Sequence, residues 1–193
     1  MKSINIEIEN KPTCYEIKID NDIIFNLKKF LSENHFSRLV LIHDLDINAS
    51  IIESIAQIDN QSLILPLEIN SSNKSIEQFY SIHEQLNINS IDKSSLIIAL
   101  GGGSVGDLVG FIASTFHRGV SYIQIPTTLL SMVDSSIGGK TGLDLDYGKN
   151  LIGSFHHPKA VFIDTVFLKT LSLKEMYSGV FEIIKYGIAF DSK

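Results

Sequence analysis

Residues 95–116 read SLIIALGGGSVGDLVGFIASTF. The apolar run Ser95–Leu100 stops at three glycines, and an apolar stretch with helical spacing resumes at Asp107 and continues to Phe116. A short continuous apolar run bounded by glycine predicts a strand buried on both faces, and the stretch after the turn predicts a helix. Gly101, Gly103 and Gly106 match the spacing G-x-G-x-x-G. Glycines let a backbone approach a ligand closely, and the first turn of the following helix offers free N–H groups and a positive dipole end to a phosphate. A tight structural turn is the other reading of the same residues. The pattern departs from the standard dinucleotide fingerprint, because it follows the third apolar strand and no acid stands about 20 residues further on. The acid available to an adenosine ribose is Asp44, at the end of the first apolar strand, and Asp107 stands where a helix cap would.

Outward from this turn the same rhythm repeats. Arg38–His43 and Ser62–Leu67 are apolar strands before it, and Tyr122–Ile125 and Ala160–Ile163 are strand candidates after it. Ala49–Ile58 and Asn73–Leu86 carry helical spacing between them. Apolar strands alternating with amphipathic helices predict an α/β fold, a Rossmann-like parallel sheet with helices on both faces. Ahead of it, Ile4, Ile6 and Ile8, then Tyr15, Ile17 and Ile19, alternate with polar residues around Asn10-Lys11-Pro12, which predicts an N-terminal antiparallel hairpin. A helix capped by Asp22 follows, with Ile23, Leu27, Phe30 and Leu31 on one stripe. From Ser172 the pattern turns wholly helical, so residues 1–171 read as one α/β domain and 172–193 as the first helix of an all-α second domain continuing beyond Lys193.

Bulk composition narrows the classes. The chain has 193 residues, 44% of them hydrophobic and 20% charged, ordinary for a globular protein. A net charge of −6 argues against nucleic acid as the main partner, since such a binder needs a basic face. Only Arg38 and Arg118 are arginines, so the chain's cations are mostly lysines. The single Cys14 excludes an internal disulfide framework and fits a reducing compartment. No apolar run reaches the ~18–20 residues of a membrane span, and the start of the chain lacks the apolar core of a signal peptide. A cytoplasmic protein with no membrane partner is the expectation.

Polar chemistry concentrates in Arg118–Gly153, where Thr127, Thr128, Asp134, Ser135, Lys140, Lys149 and Asn150 are threaded between glycines and short apolar runs. Thr127 and Thr128 follow a strand and Pro126, where hydroxyls either cap a helix or bond a ribose or amide. Asp134 falls two helical turns later, near a helix C-terminus, where the dipole disfavours a carboxylate and another role is called for. Lys140 follows Gly138-Gly139, and Lys149-Asn150 adds a cation and an amide. Several such groups on one segment suit an anionic, multiply hydroxylated ligand, with a solvated loop as the plainer alternative. In the terminal helix Glu182 and Lys185 stand at i, i+3, either as an exposed ion pair or, given the apolar neighbours Phe181, Ile183 and Ile184, as a half-buried carboxylate able to ligate a metal. A catalytic zinc needs about three protein ligands, and none of the histidines, including the adjacent pair His156-His157, shows ligand spacing with Glu182.

Four stretches, GGGSVGDLVGF, RGVSYIQIPTTLLSMVDSSIGGKTG, GKNLIGSFHHP and FEIIKYG, closely resemble the 3-dehydroquinate synthase family within the sugar phosphate cyclases. The glycine turn alone also occurs in iron-type polyol dehydrogenases; the GGKTG segment does not. The resemblance implies an NAD-binding α/β domain, a helical domain holding zinc or cobalt, and a homodimer. It implies a lyase that takes a seven-carbon keto-acid phosphate, 3-deoxy-D-arabino-heptulosonate 7-phosphate, to 3-dehydroquinate and phosphate in aromatic amino acid biosynthesis. Transient oxidation of a hydroxyl by NAD makes the neighbouring C–H acidic. Phosphate elimination, re-reduction, ring opening and aldol closure follow. By motif, Gly101, Gly102, Gly103 and Asp107 would line the pyrophosphate of NAD, with Lys74, Asp44, Thr127, Thr128, Leu130, Ser135, Lys140 and Lys149 also on the cofactor. Asp134, Lys140, Asn150 and Lys185 would meet substrate, Arg118 would reach the substrate phosphate across the dimer, and Glu182 would be one metal ligand. Asn70-Ser71-Ser72-Asn73-Lys74 keeps only the Lys of a usual Gly-Glu-x-x-Lys, Asp46 and Asp144 stand where Asn is common, and Ser104 replaces a usual Val. Another sugar phosphate cyclase and a non-catalytic nucleotide-binding remnant are the rival expectations, and the residues up to Lys193 alone are expected to be inactive.

Overall fold

Two strands, β2 (Leu39–Asp44), buried up to its last residue, and β4 (Leu96–Gly101), buried throughout, lie side by side at the centre of a six-stranded sheet. This computed structural model describes residues 14–68 and 74–190. With β1 (Glu16–Asp20), β3 (Leu63–Leu67), β5 (Ser121–Pro126) and β8 (Ala160–Asp164), the strand order is β1-β8-β5-β4-β2-β3. Every pairing in this sheet is parallel. Helices α1 (Ile23–Glu33) and α2 (Ala49–Ala56) carry the chain between strands on one face. Helices α3 (Ile76–Ile88) and α4 (Gly103–Thr115) do so on the other. The α/β sheet expected from the sequence is therefore the observed one. Leu41, Ile98 and Ile123 face the first layer and Val40, Ile97 and Tyr122 the second, so each central strand is apolar on both sides. From β2 the chain steps outward to β3, then crosses back to β4 and on to β5. The order reverses between β2 and β4, which places the topological switch point at their C-terminal ends.

Three elements differ from expectation. The glycine turn is shorter: α4 begins at Gly103, not Asp107, so Asp107 lies inside the helix and is not its cap. Gly106 sits within the helix because a Cβ there would lie 2.5 Å from Gln124 Oε1 on β5, and only a bare backbone packs that closely on the sheet. The first arm of the expected N-terminal hairpin lies outside the described residues, and its second arm is β1, a parallel edge partner of β8. An antiparallel hairpin does occur, but elsewhere: β6 (Lys140–Leu145) pairs with β7 (Gly148–Phe155), with a bulge between Leu143 and Leu145, inside the stretch read as polar wall. Leu143 anchors this hairpin in the α4 layer. Helix α5 (Leu173–Phe190) closes the described chain as expected, but only its Gly179 is buried, packed on Leu129.

Candidate functional site

Two clefts open at the C-terminal edge of the sheet, on either side of the start of α4. The first, about 820 Å³, lies at the switch point. Asp44 from the end of β2, Gly102 and Gly103 from the start of α4, Thr127 and Thr128 after β5, and Leu130 line it. The N-cap Gly102 makes no side-chain capping bond, which leaves the first N–H groups of a 13-residue helix free for an anion. Asp44 is half-buried, and that burial raises its carboxyl above the ordinary value; Asp46 adds repulsion while donating its N–H to Asp44 Oδ1 at 3.3 Å. Thr128 and Ser131 bond through their hydroxyls at 2.8 Å, so Thr128 caps the next helical turn, whereas Thr127 has its backbone N–H on Gly101 O at 3.0 Å.

The second cleft, about 650 Å³, gathers Asp107, Asp134, Ser135, Lys140 and Asn150, with Leu151 and Phe155 of β7 as its apolar rim. Asp134 sits near the end of the helical turn Ser131–Ser135, as its sequence position implies, and accepts a hydrogen bond from Tyr186 of α5 at 2.6 Å. That bond is the main reason the Tyr186 phenol is pushed up to about 12. Gly138 and Gly139 have φ of +99° and +69°, which glycine alone adopts without strain, and they deliver Lys140 to the cleft. Tyr15 steadies this turn by accepting the Gly138 N–H at 3.0 Å. The two clefts meet at a close contact: a Cβ on Gly103 would fall 2.7 Å from Ser135 Oγ, which is buried and has no hydrogen-bond partner among the described residues.

Lys74 lies in neither lining. It is buried behind the second cleft, its ammonium donating to Asp107 Oδ2 at 2.6 Å and contacting Asn150 Oδ1. Burial raises the Asp107 carboxyl, against the pull of Lys74. Gly101 is likewise outside, buried at the end of β4 against Val105. Arg118, Lys149 and Lys185 are exposed and line neither cleft. Arg118 follows His117 in left-handed backbone, with φ of 59° and 47°.

Glu182 is half-buried, and its Oε1 has no hydrogen-bond partner; Lys185 contacts that oxygen as an ion pair without hydrogen-bond geometry. A half-buried carboxylate oxygen with an ion-pair contact but no hydrogen bond among the described residues can still serve as a metal ligand. Among the described residues no three His, Cys, Asp or Glu side chains come together as a metal site. The described residues therefore fit NAD, through the uncapped helix and Asp44, but bring together fewer than three ligands for a metal.

Sequence reasoning passed over one wall of the first cleft. Val166, Phe167 and Thr170, on a 3-10 turn after β8, line it together with Glu175 and Ser178 of α5. The signal was present: Asp164 ends an apolar strand and caps this turn by accepting the Val166 N–H at 2.8 Å, at the same sheet edge as Asp44.

A doubly wound parallel sheet with an uncapped glycine turn at its switch point is the class of fold that holds dinucleotides. The family described as 3-dehydroquinate synthase N-terminal matches residues 64–178, and the chain belongs to that family. A 3-dehydroquinate synthase of Prochlorococcus marinus is 40% identical over 195 residues, covering 97% of this chain and 53% of the relative. The chain spans about half the length of the curated relatives it matches. Among solved structures, 2-deoxy-scyllo-inosose synthase complexed with carbaglucose-6-phosphate, NAD+ and Co2+ superposes with a TM-score of 0.83 at 25% identity, over 92% of this chain and 50% of that one. A 2-epi-5-epi-valiolone synthase from Streptomyces hygroscopicus with NAD+ and Zn2+ bound gives 0.81 at 26% identity, over the same shares. No described helix is long and apolar enough to cross a membrane.

Proposed function

We propose that this chain forms the NAD-binding half of a 3-dehydroquinate synthase acting on 3-deoxy-D-arabino-heptulosonate 7-phosphate. One observation carries the reading: the cleft at the switch point and the Lys140–Asn150 cleft share a wall only one glycine thick, at Gly103 and Ser135. A cofactor in the first is thereby brought against a polyol in the second. NAD, when bound, supplies a hydride acceptor for a substrate hydroxyl, and a metal completed by residues outside those described supplies Lewis acidity. Asp44 accepts from the ribose hydroxyls, and the first N–H groups of α4 bind the pyrophosphate. Ser135, whose hydroxyl is otherwise unpartnered, bonds across the wall. Lys140 binds an anionic oxygen of the substrate and Asn150 a hydroxyl or carboxylate. Asp134, held by Tyr186, orients a hydroxyl. Leu151 and Phe155 shield the cleft from water. Arg118, exposed and outside both linings, serves the phosphate site of a second copy in a homodimer, a task that suits a guanidinium. Lys149 and Lys185 reach their ligands from the rim.

A cytoplasmic location follows from the same reading. A second reading, a cyclase for another sugar phosphate, draws on the two cyclase structures at 25% and 26% identity. Phosphate release and bound zinc, measured on residues 1–193 and on a full-length protein, test the proposal. The expected result is release only from the full-length protein, with the heptulosonate phosphate preferred over other sugar phosphates. Turnover by residues 1–193 with stoichiometric zinc would contradict the division of the site, and preference for another sugar phosphate would favour the second reading.

A further inference from the structure

Lys74 is only 5% exposed, and its surroundings show what it is for. Its ammonium donates to Asp107 Oδ2 at 2.6 Å, contacts Asn150 Oδ1, and stands 3.8 Å from Asp144 Oδ1. An ammonium has donors and no acceptor, so Asn150 must turn its carbonyl oxygen to Lys74 and its NH2 away. The same Asn150 gives its backbone N–H to Asp144 Oδ1 at 2.8 Å and holds a left-handed φ of 57°. Asp144 in turn donates its own N–H to Lys74 O at 2.8 Å. Each of the three residues is thus fixed by the other two, and Asp107 ties them to the first turns of α4.

We infer that Lys74 and Asp144 are positioning residues that set Asn150 so that its NH2 is presented as a donor to an acceptor oxygen of the ligand. This inference rests on the reading of the Asn150 cleft as the substrate site. Lys74 lines neither cleft itself and reaches this one through Asp107 and Asn150, which do line it. The acidic residue at position 144 then has a use: a carboxylate accepts the Asn150 N–H and lies close to the Lys74 charge.

The test reads the Asn150 side-chain amide by NMR in the 15N-labelled chain, assigned by its loss in Asn150→Ala. In the unsubstituted chain its two amide protons should be well separated. Lys74→Met should collapse them towards free-asparagine positions and Lys74→Arg should largely restore them. An Asn150 amide unmoved by Lys74→Met would overturn the inference. If Lys74→Met does not fold, Lys74→Arg and Asp144→Leu carry the test. Separation of the two amide protons kept in the first and lost in the second supports the inference, and separation unchanged in the second sinks it. The amide is read with no cofactor or substrate present. A chain that bound no NAD would therefore sink the proposed function, while the amide signals would still decide the role of Lys74.

Discussion

Asp44 ends β2 at the bottom of the switch-point cleft, and burial raises its carboxyl above the ordinary value of 3.8. A raised folded-state pKa means that the native state holds the proton more tightly than the unfolded chain does. The associated stability is complete below the unfolded value and is lost as pH rises through the folded one. At about pH 7 the ionised Asp44 therefore costs native stability, to the benefit of a ribose acceptor. Asp44→Asn should raise the urea midpoint at about pH 7, leave it unchanged near pH 3, and weaken NAD binding about tenfold. Urea melts at both pH values with a parallel NAD titration check this; a lower midpoint at neutral pH would show that Asp44 has a structural partner.

At the scale of elements, the parallel strands are legible in sequence because both faces are covered, so each is an unbroken apolar run such as LVLIHD or LIIALG. The β6–β7 hairpin is not. One side carries Leu151 and Phe155 to an open cleft, glycines at 142, 148 and 153 interrupt it, and a bulge breaks its alternation. The chemistry of that segment is legible where its geometry is not: Asp134, Lys140 and Asn150 reach one cleft, but nothing in their spacing foretells that Lys74 arrives from a distant loop to grip Asn150. Helix α5 is legible as a helix, while its role depends on Tyr186. In an alkaline spectrophotometric titration, the parent minus Tyr186→Phe difference should report a phenol ionising near 12, and in Asp134→Asn that phenol should fall back towards 10. A Tyr186 that titrates near 10 in the parent would mean that α5 does not hold Asp134.

Across the whole molecule, the parallel sheet acts as a ruler. It brings the ends of β2, β4 and β5 to one edge, so residues far apart in sequence, Asp44, Gly102 and Thr127, line one cleft. The hairpin and the Ser131–Ser135 turn then build a second cleft beside the first, and Gly103 packs closely on Ser135 between them. Helix α5 leaves apolar residues exposed, among them Phe181, Ile184 and Ile188. Everything proposed for the two clefts depends on NAD binding in the one at the switch point. Titrating NAD into the 15N-labelled chain tests that binding without any intermediate step. Saturable shifts are expected at the backbone amides of Asp44, Gly102 to Val105 and Thr127 to Thr128, with none at α1 or α3. Absence of shifts, or shifts centred away from that cleft, would contradict NAD binding at the switch point.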